Sequence, residues 1–390
     1  MNADAQDRAA APVERRGATS VHEAGHTASS TPSGSPPLRV IDLFAGCGGL
    51  TAGFSATGRY TPVAAVEHDL AAASTYAANF GEDHVYWGKI EDWVKGNLPE
   101  ADVVVGGPPC QGFSNLGKRS PSDPRNGLWR HYMQTLIKVR PRAFLIENVD
   151  RFGASDQFQM LRRETLQGGL LEDYEIDTSV VRATDFGAAQ LRRRFIVIGT
   201  HRDLAKIPVP TGTVPKAQWK TAREALEGLA PDVDPRNQTL PSSATPFFGK
   251  LVQGIFKSPD LHITRNYTDK SLERFGHIRP GGNRLDLPDH LKAPCWIGHD
   301  KGSMDVMGRM HWDRPSVTIR TEFFKPEKGR YLHPDRHRAI THHEAARLQG
   351  FRDEFQWCGS KLDIARQIGN AVPVELAAKL ATHMAEHLTS

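Results

Sequence analysis

Cys110 stands in "VVVGGPPCQGFS", directly after an apolar run and two glycines and two prolines. A lone cysteine is most often a small apolar filler. As a thiolate, however, it is the side chain best suited to add to an electron-poor carbon. Its neighbours in function decide between these readings. Glu147 closes the apolar run "AFLIE" and is followed by Asn148 and Val149, while Arg192, Arg193 and Arg194 stand in "QLRRRF". A carboxyl at the end of such a run is partly desolvated and needs a partner. Alternate arginines supply planar, paired donors that can hold a phosphate or a base carbonyl. A nucleophile, a carboxyl able to bind or protonate a ring nitrogen, and a guanidinium form a constellation with a reaction in it.

A second constellation is the loop "FAGCGGL", with Gly46, Gly48 and Gly49, followed about twenty residues on by Glu67 at the end of "PVAAVE". Such a loop lets backbone amides approach a ligand at a helix N-terminus. It departs from the dinucleotide fingerprint because Thr51 occupies the last glycine position. Glu67 can accept hydrogen bonds from ribose hydroxyls. The pair fits an adenosine-containing cofactor without a pyrophosphate.

The elements that must position these residues are short apolar runs alternating with helical patterns. "VIDLF" (40–44), "PVAAVE" (62–67), "DVVVG" (102–106), "AFLIE" (143–147) and "RFIVIG" (194–199) read as strands. "GLWRHYMQTLIKVR" reads as a helix with Leu128, Tyr132, Met133, Leu136 and Ile137 on one face. This alternation implies an α/β, doubly wound, mostly parallel sheet, in which ligands bind at the carboxyl ends of the strands. Each polar motif falls at such an end. Residues 204–309 break the rhythm with many Pro and Gly and a modest basic excess, and read as a second, smaller, irregular domain. "THHEAARLQGF" reads as a helix, and "QIGNAVPVELAAKLATHMAEHL" as a turn followed by a C-terminal helix. The expected domains are a disordered tail over 1–37, a catalytic unit over 38–203, the irregular domain over 204–309, and a segment over 310–390 that completes the catalytic unit.

Composition bounds the rest. The 390 residues are 39% apolar and 24% charged, as in ordinary globular proteins. Four cysteines, Cys47, Cys110, Cys295 and Cys358, include no C-x-x-C pair, so they read as free thiols in a reducing compartment. There is no run of about eighteen apolar residues and no apolar secretory core, so a cytoplasmic protein without a membrane partner is expected. A net charge of +4 permits a nucleic-acid partner without requiring one. In the tail, "HEAGH" (His22 to His26) matches a zinc-protease spacing, but Gly25 and its small neighbours offer no rigid helix, and no metal site is expected.

Taken in order, the motifs resemble those of the bacterial DNA (cytosine-5) methyltransferases of type II restriction-modification systems. "DLFAGCGGL" resembles that family's S-adenosylmethionine loop, "GGPPCQGFS" its catalytic Pro-Cys loop, "ENV" its base-binding glutamate motif and "QLRRRF" its Q-x-R-x-R element. "RPSVTIRT" (314–321) resembles the segment that closes its recognition domain, and "GNAVPVELA" (369–377) its C-terminal cofactor motif. The resemblance covers 39–390 except the middle domain. It implies a Rossmann-like methyltransferase fold in which 204–309 reads a DNA sequence in the major groove. It implies that Cys110 adds to C6 of a flipped cytosine and Glu147 contacts N3 and the exocyclic amine. Arg194 would bind the base carbonyl, Arg192 would support the loop, and Pro109 would shape it. S-adenosylmethionine would be held by Asp42, Phe44, Ala45, Gly46, Gly48, Gly49, Leu50, Glu67, His68, Ile90, Pro108, Leu128, Asn370, Ala371 and Val372. Duplex DNA would be met by Gln111, Ser114, Lys118, Arg119, Arg125, Asn148, Gln190 and Thr318. The resemblance further implies a monomer whose partner is DNA, in some systems accompanied by a restriction endonuclease.

Two residues depart from the family. Lys89 stands where an aspartate often meets the adenine amine, leaving Glu91 or Asp92 to substitute, and Ala189 stands where Pro often precedes Gln190. A tRNA cytosine methyltransferase of the same superfamily lacks a large recognition domain, whereas about 100 residues are inserted here. A catalytically dead DNA-binding protein on this scaffold would have no need to retain Cys110, Glu147 and Arg194 together.

Overall fold

The computed structural model describes residues 36–109, 127–234, 238–298, 301–302 and 304–389. The expectations for the 1–35 tail and its His22 to His26 spacing lie outside the described residues, as do those for Cys110, Gln111, Ser114, Lys118, Arg119 and Arg125.

In chain order the first elements are β1 (Leu38–Leu43), α1 (Gly49–Ala56), β2 (Tyr60–Glu67), α2 (Leu70–Phe80), β3 (Val85–Trp87), α3 (Ile90–Trp93) and β4 (Val103–Gly106). There follow α4 (Leu128–Val139), β5 (Ala143–Asn148), α5 (Asp156–Glu164), β6 (Tyr174–Arg182), β7 (Gln190–Leu191) and β8 (Arg193–His201). Then come α6 (Ala222–Ala225), β9 (Ala244–Phe247), β10 (Lys250–Lys257), α7 (Asp269–His277), β11 (Ser316–Val317) and α8 (His342–Leu348). The chain ends with β12 (Gln356–Cys358), α9 (Lys361–Asn370) and α10 (Val374–Leu388). A seven-stranded sheet runs β3-β2-β1-β4-β5-β8-β6, parallel through β5, with β8 antiparallel to both of its neighbours. Strand order reverses at β1 and β4, the place where ligands bind in doubly wound sheets.

Both faces of this sheet are apolar, as a central parallel sheet demands. Alternate residues Val40, Val103, Val105, Leu145, Ile196 and Ile198 face one core with Leu50, Phe54, Leu376, Leu380 and Met384 of α1 and α10. The residues between them, Ile41, Leu43, Val104, Phe144, Ile146 and Val197, face another with Trp129, Tyr132, Leu136, Phe158 and Leu161 of α4 and α5. A two-residue side-chain period makes both cores from one set of strands. Helix starts follow local chemistry: Asp69 and Ser155 cap α2 and α5, and Thr341/Glu344 and Ser360/Asp363 form capping boxes on α8 and α9.

Three expectations are corrected. Ile137 is 38% exposed; the buried face of α4 runs through Trp129, Tyr132, Met133 and Leu136. "QIGN", expected as a turn before the C-terminal helix, is the last turn of a separate helix, α9, because the Ser360 box starts a helix whose Ile364, Ala365 and Ile368 are buried. The core does not break at 204. Ile207 and Val209 belong to the α10 core, and Ala222, Leu226, Phe256 and Leu261 share a core with α8 and α9. Among the described residues, Phe275, Ile278, Leu287 and Met307 form a small cluster together with Leu332 of the following segment.

Two internal positions are tight enough to test. A Cβ at Gly53 would lie 2.4 Å from Ala377 Cβ and 2.6 Å from Ala378 N, so α1 and α10 meet there backbone to backbone. Alanine gains up to about 1 kcal/mol of helix propensity, but a clash with backbone cannot relax by a rotamer change, and overpacking costs about 1–3 kcal/mol. Gly53→Ala should therefore lower the urea midpoint. Asp42, at 1% exposure, accepts from Thr51 Oγ1 at 2.7 Å through Oδ2, while Oδ1 has no hydrogen-bond partner. Burial pushes its pKa up to about 7, against the Thr51 hydrogen bond and with a smaller push from Glu67. Because the folded pKa lies above the unfolded one, this group's contribution to stability falls as pH rises from about 4 to about 7 and is flat beyond. Asp42→Asn should stabilise the ligand-free chain at pH 8 by on the order of 1–3 kcal/mol, with the gain vanishing toward pH 4. Urea unfolding at the two pH values measures both, and an equal effect at each would contradict the assignment.

Candidate active site

After β1 the chain turns through Phe44, Gly46 and Gly48, all at positive φ (57°, 56° and 88°), before entering α1. A Cβ at Gly48 would lie 2.5 Å from the Phe80 ring, so only glycine passes there. A Cβ at Gly46 would meet nothing within 4 Å, which leaves open space beside the Glu67 carboxylate. Thr51, the residue that breaks the dinucleotide fingerprint, lies under the loop and binds both Asp42 and the Tyr76 hydroxyl, the latter at 3.0 Å.

Glu67 is 7% exposed and completely tethered. Oε2 accepts from Gly46 N at 2.9 Å, and Oε1 accepts from the amides of His68 and Asp69 at 2.8 Å each. The His68 Nδ1 lies 2.9 Å from Oε1. Burial would raise the Glu67 pKa, yet the His68 imidazole and the amides of Asp69 and Gly46 outweigh it and hold the carboxyl below its usual range. In turn Glu67 raises the pKa of His68. The carboxylate beside the open cradle is therefore charged and oriented.

The far end of the chain closes this pocket. A Cβ at Gly49 would lie 2.9 Å from Val372 O and 3.2 Å from Ala371 Cβ, so the segment after α9 packs on the glycine loop. Ala371 and Val372 are buried there and Asn370 is exposed. Of the other residues expected around a cofactor, Ala45 is buried and its amide donates to Val66 O at 3.1 Å. Leu50 and Ile90 point into cores, and Leu128 packs half-buried at the start of α4. Lys89 is an exposed N-cap residue of α3, and Asp92 is paired with Lys95 at 2.9 Å.

The catalytic motifs meet at the ends of β4 and β5. Because β8 runs antiparallel to β5, its first residues lie beside the last residues of β5, with Asn148 opposite Phe195. Arg194 Nε thereby reaches Glu147 Oε1 at 2.5 Å, with side-chain exposures of only 13% and 9%. A Cβ at Gly107 would lie 3.3 Å from Glu147 Oε2, so the loop leaving β4 passes over the carboxylate where it has no side chain. Pro108 is buried and Pro109 half-buried, the last described residues before Cys110.

Asn148 and Gln190, expected at DNA, and Arg192, expected to support the loop, all make internal hydrogen bonds. Asn148 is 4% exposed, donates to Pro108 O at 2.9 Å and accepts from Val149 N at 2.9 Å, so it ties the two loops together rather than facing DNA. Gln190, fully buried, binds Leu348 O, the Gln349 side chain and Ile319 N. Arg192, 2% exposed, donates to the carbonyls of Ile319, Gly369 and Asn370, joining the arginine strand to the cofactor end of α9. Thr318 is half-buried beside the β7–β11 ladder and donates to Leu191 O at 3.0 Å. Sequence reasoning did not find Trp87, which pairs with Glu67 in register and donates to His68 O at 3.2 Å. Its only signal was its place just before the Gly88-Lys89-Ile90 departure.

Residues 38–386 match the model of the family "C-5 cytosine-specific DNA methylase". The chain is 31% identical over 353 residues to Type II methyltransferase M1.HphI of Haemophilus parahaemolyticus, covering 88% of this chain and 86% of that one. It is 32% identical over 359 residues to Type II methyltransferase M.Sau96I of Staphylococcus aureus, covering 90% and 76%. Among solved structures it resembles a prophage-encoded DNA modification methyltransferase of E. coli, with a TM-score of 0.67, 25% identity and coverage of 90% and 100%. Dnmt2 of S. pombe, at TM-score 0.55 and 18% identity, shares the fold. With its motifs converging on one crevice and its length matched from β1 to α10, the chain belongs to the C-5 cytosine-specific DNA methylase family.

Proposed function

We propose that this DNA (cytosine-5) methyltransferase works through Cys110, Glu147 and Arg194, with S-adenosylmethionine held between the glycine loop, Glu67 and the 370–372 segment. The observation that carries the reading is the buried Glu147–Arg194 pair at 2.5 Å beneath the loop that leads to Cys110. The cofactor's fit rests on the open space over Gly46 beside a charged, fully tethered Glu67, a carboxylate able to accept from ribose hydroxyls. When bound, it supplies a methyl group on a cationic sulfur.

C5 of cytosine is a weak nucleophile. The Cys110 thiolate adds to C6, forming an S–C6 bond and moving the C5–C6 π electrons into the ring. Glu147 accepts from the exocyclic amine and holds the proton at N3 as charge builds there, while Arg194 donates to the base carbonyl. C5, now enamine-like, would form the new bond to the methyl carbon as the sulfonium S–CH3 bond breaks, its electron pair returning to sulfur and leaving neutral S-adenosylhomocysteine. Loss of the C5 proton to a base and cleavage of S–C6 return Cys110 and the methylated base. An ordinary thiol with pKa about 8.5 is only a few per cent ionised at neutral pH, so the site must favour thiolate, as a cationic group beside the thiol would. A stacked base cannot reach these groups, so the cytosine must leave the helix, at a cost of a few kcal/mol.

Lys118, Arg119 and Arg125 suit phosphate contacts, with Gln111 and Ser114 closer to the base. The small cluster around Phe275, Ile278, Leu287 and Met307 supports a sequence-reading unit set apart from the catalytic core. We place the enzyme as a monomeric modification methylase, with or without a cognate endonuclease. No described helix is long and apolar enough to cross a membrane.

Purified enzyme should transfer labelled methyl from S-adenosylmethionine to DNA and not to tRNA, and bisulfite sequencing should place the label at cytosines of one sequence. Cys110→Ser should abolish transfer while leaving cofactor affinity within about twofold, since the thiol touches only the base. Glu147→Gln should lower kcat by roughly two or more orders of magnitude. Transfer to tRNA alone, or full activity in Cys110→Ser, would overturn the reading.

A further inference from the structure

The tip of the β9–β10 hairpin carries a strained residue. Phe247 pairs with Lys250, leaving Phe248 and Gly249 as a two-residue turn with φ of 51° and 70°. A turn of this hand favours Asn, Asp or Gly at its first corner, because a positive φ forces Cβ against the backbone. A phenylalanine persists there only where its surroundings fix it. Two contacts do so. The Phe248 amide donates to Glu82 Oε1 at 2.9 Å, and its ring packs on the Trp87 indole with centroids 6.0 Å apart. Trp87 lies in register opposite Glu67, and its Nε1 donates to the carbonyl of His68, whose imidazole in turn touches the Glu67 carboxylate. A short line of contacts thus leads from the hairpin tip, through Trp87 and His68, to the acid beside the open cradle.

We propose that Phe248 is a positioning residue for the cofactor site: by clamping Trp87 it fixes the peptide at His68 and with it the direction of Glu67. This rests on the reading that Glu67 holds the cofactor ribose. The hairpin does not depend on the contact of Phe248 with Trp87 to stay docked. Phe247 and Val252 are buried in a cluster with Ala77 and Cys358, against which Phe248 also packs, and β10 pairs along β12. The strained corner therefore supplies something other than attachment. One wall of the cofactor pocket would be set by a segment inserted after the catalytic strands, and the adenosine side of the site would depend on the region inserted to read DNA.

Phe248→Asn separates the two roles, since asparagine accepts the positive φ, keeps the amide to Glu82 and removes only the ring. The thermal midpoint should change little, since relief of the positive-φ strain offsets the ring packing lost from the cluster. The Kd for S-adenosylhomocysteine, titrated calorimetrically, and the KM for S-adenosylmethionine should both rise about 5- to 20-fold, with kcat within about twofold of wild type. Phe248→Tyr, which keeps the ring, should restore both constants. An unchanged Kd in Phe248→Asn overturns the proposal, as does a joint fall in kcat and thermal midpoint, which marks a merely structural role. Glu67→Gln is the separate control: if it leaves Kd unchanged, the ribose reading fails and the proposal falls with it, whatever Phe248 does.

Discussion

The buried pairing of Glu147 with Arg194 is the constraint on which the site depends. Removing one partner of such a pair costs about 3–5 kcal/mol, because the other charge is stranded away from water. For the pair to form, the arginine strand must run against β5 and place its first residues at the crevice, which is why the seventh-strand arrangement breaks the parallel pattern at β8. The same strand start carries Arg192, whose donors bind the Ile319, Gly369 and Asn370 carbonyls and so hold the chain's last helices against the glycine loop. One run of arginines therefore braces the end of β5 through Arg194 and the end of α9 through Arg192.

Two carboxyls within one pocket are driven in opposite directions by their surroundings. Glu67 and Asp42 are both buried, but Glu67 gathers three amides and an imidazole and stays charged, whereas Asp42 has one hydroxyl and an oxygen without a partner, and rises to about 7. The oriented negative charge lies beside the open space over Gly46, and the less charged group lies beneath the loop. Hydrogen-bond count, rather than burial, decides which acid stands beside the open space as an anion.

Much of this was legible in the chain. Strands with apolar residues on both faces announce themselves as continuous runs, so "DVVVG" and "AFLIE" could be placed, and the motifs at their ends followed. What was not legible depends on contacts between distant segments. Asn148 and Gln190 look like surface polar groups in sequence; their burial follows from Pro108 and from Leu348 and Gln349, partners 40 and more positions away. The continuation of the core past 204 was hidden because Ile207, Val209 and Leu226 sit in Pro- and Gly-rich sequence yet find apolar surface on α8, α9 and α10. Trp87 carried no motif, and only the register of β3 beside β2 brings it to Glu67.

The most direct test of the central claim is to trap the thiol on the base. In duplex DNA with 5-fluorocytosine at the target, the C5 position has no proton to lose after methylation, so S–C6 cannot break and the enzyme stays bonded to DNA. Mass spectrometry of the digested complex should find one peptide carrying the methylated fluorocytosine, joined through Cys110. An adduct on Cys47, Cys295 or Cys358, or turnover of the fluorinated substrate without any adduct, would contradict the account.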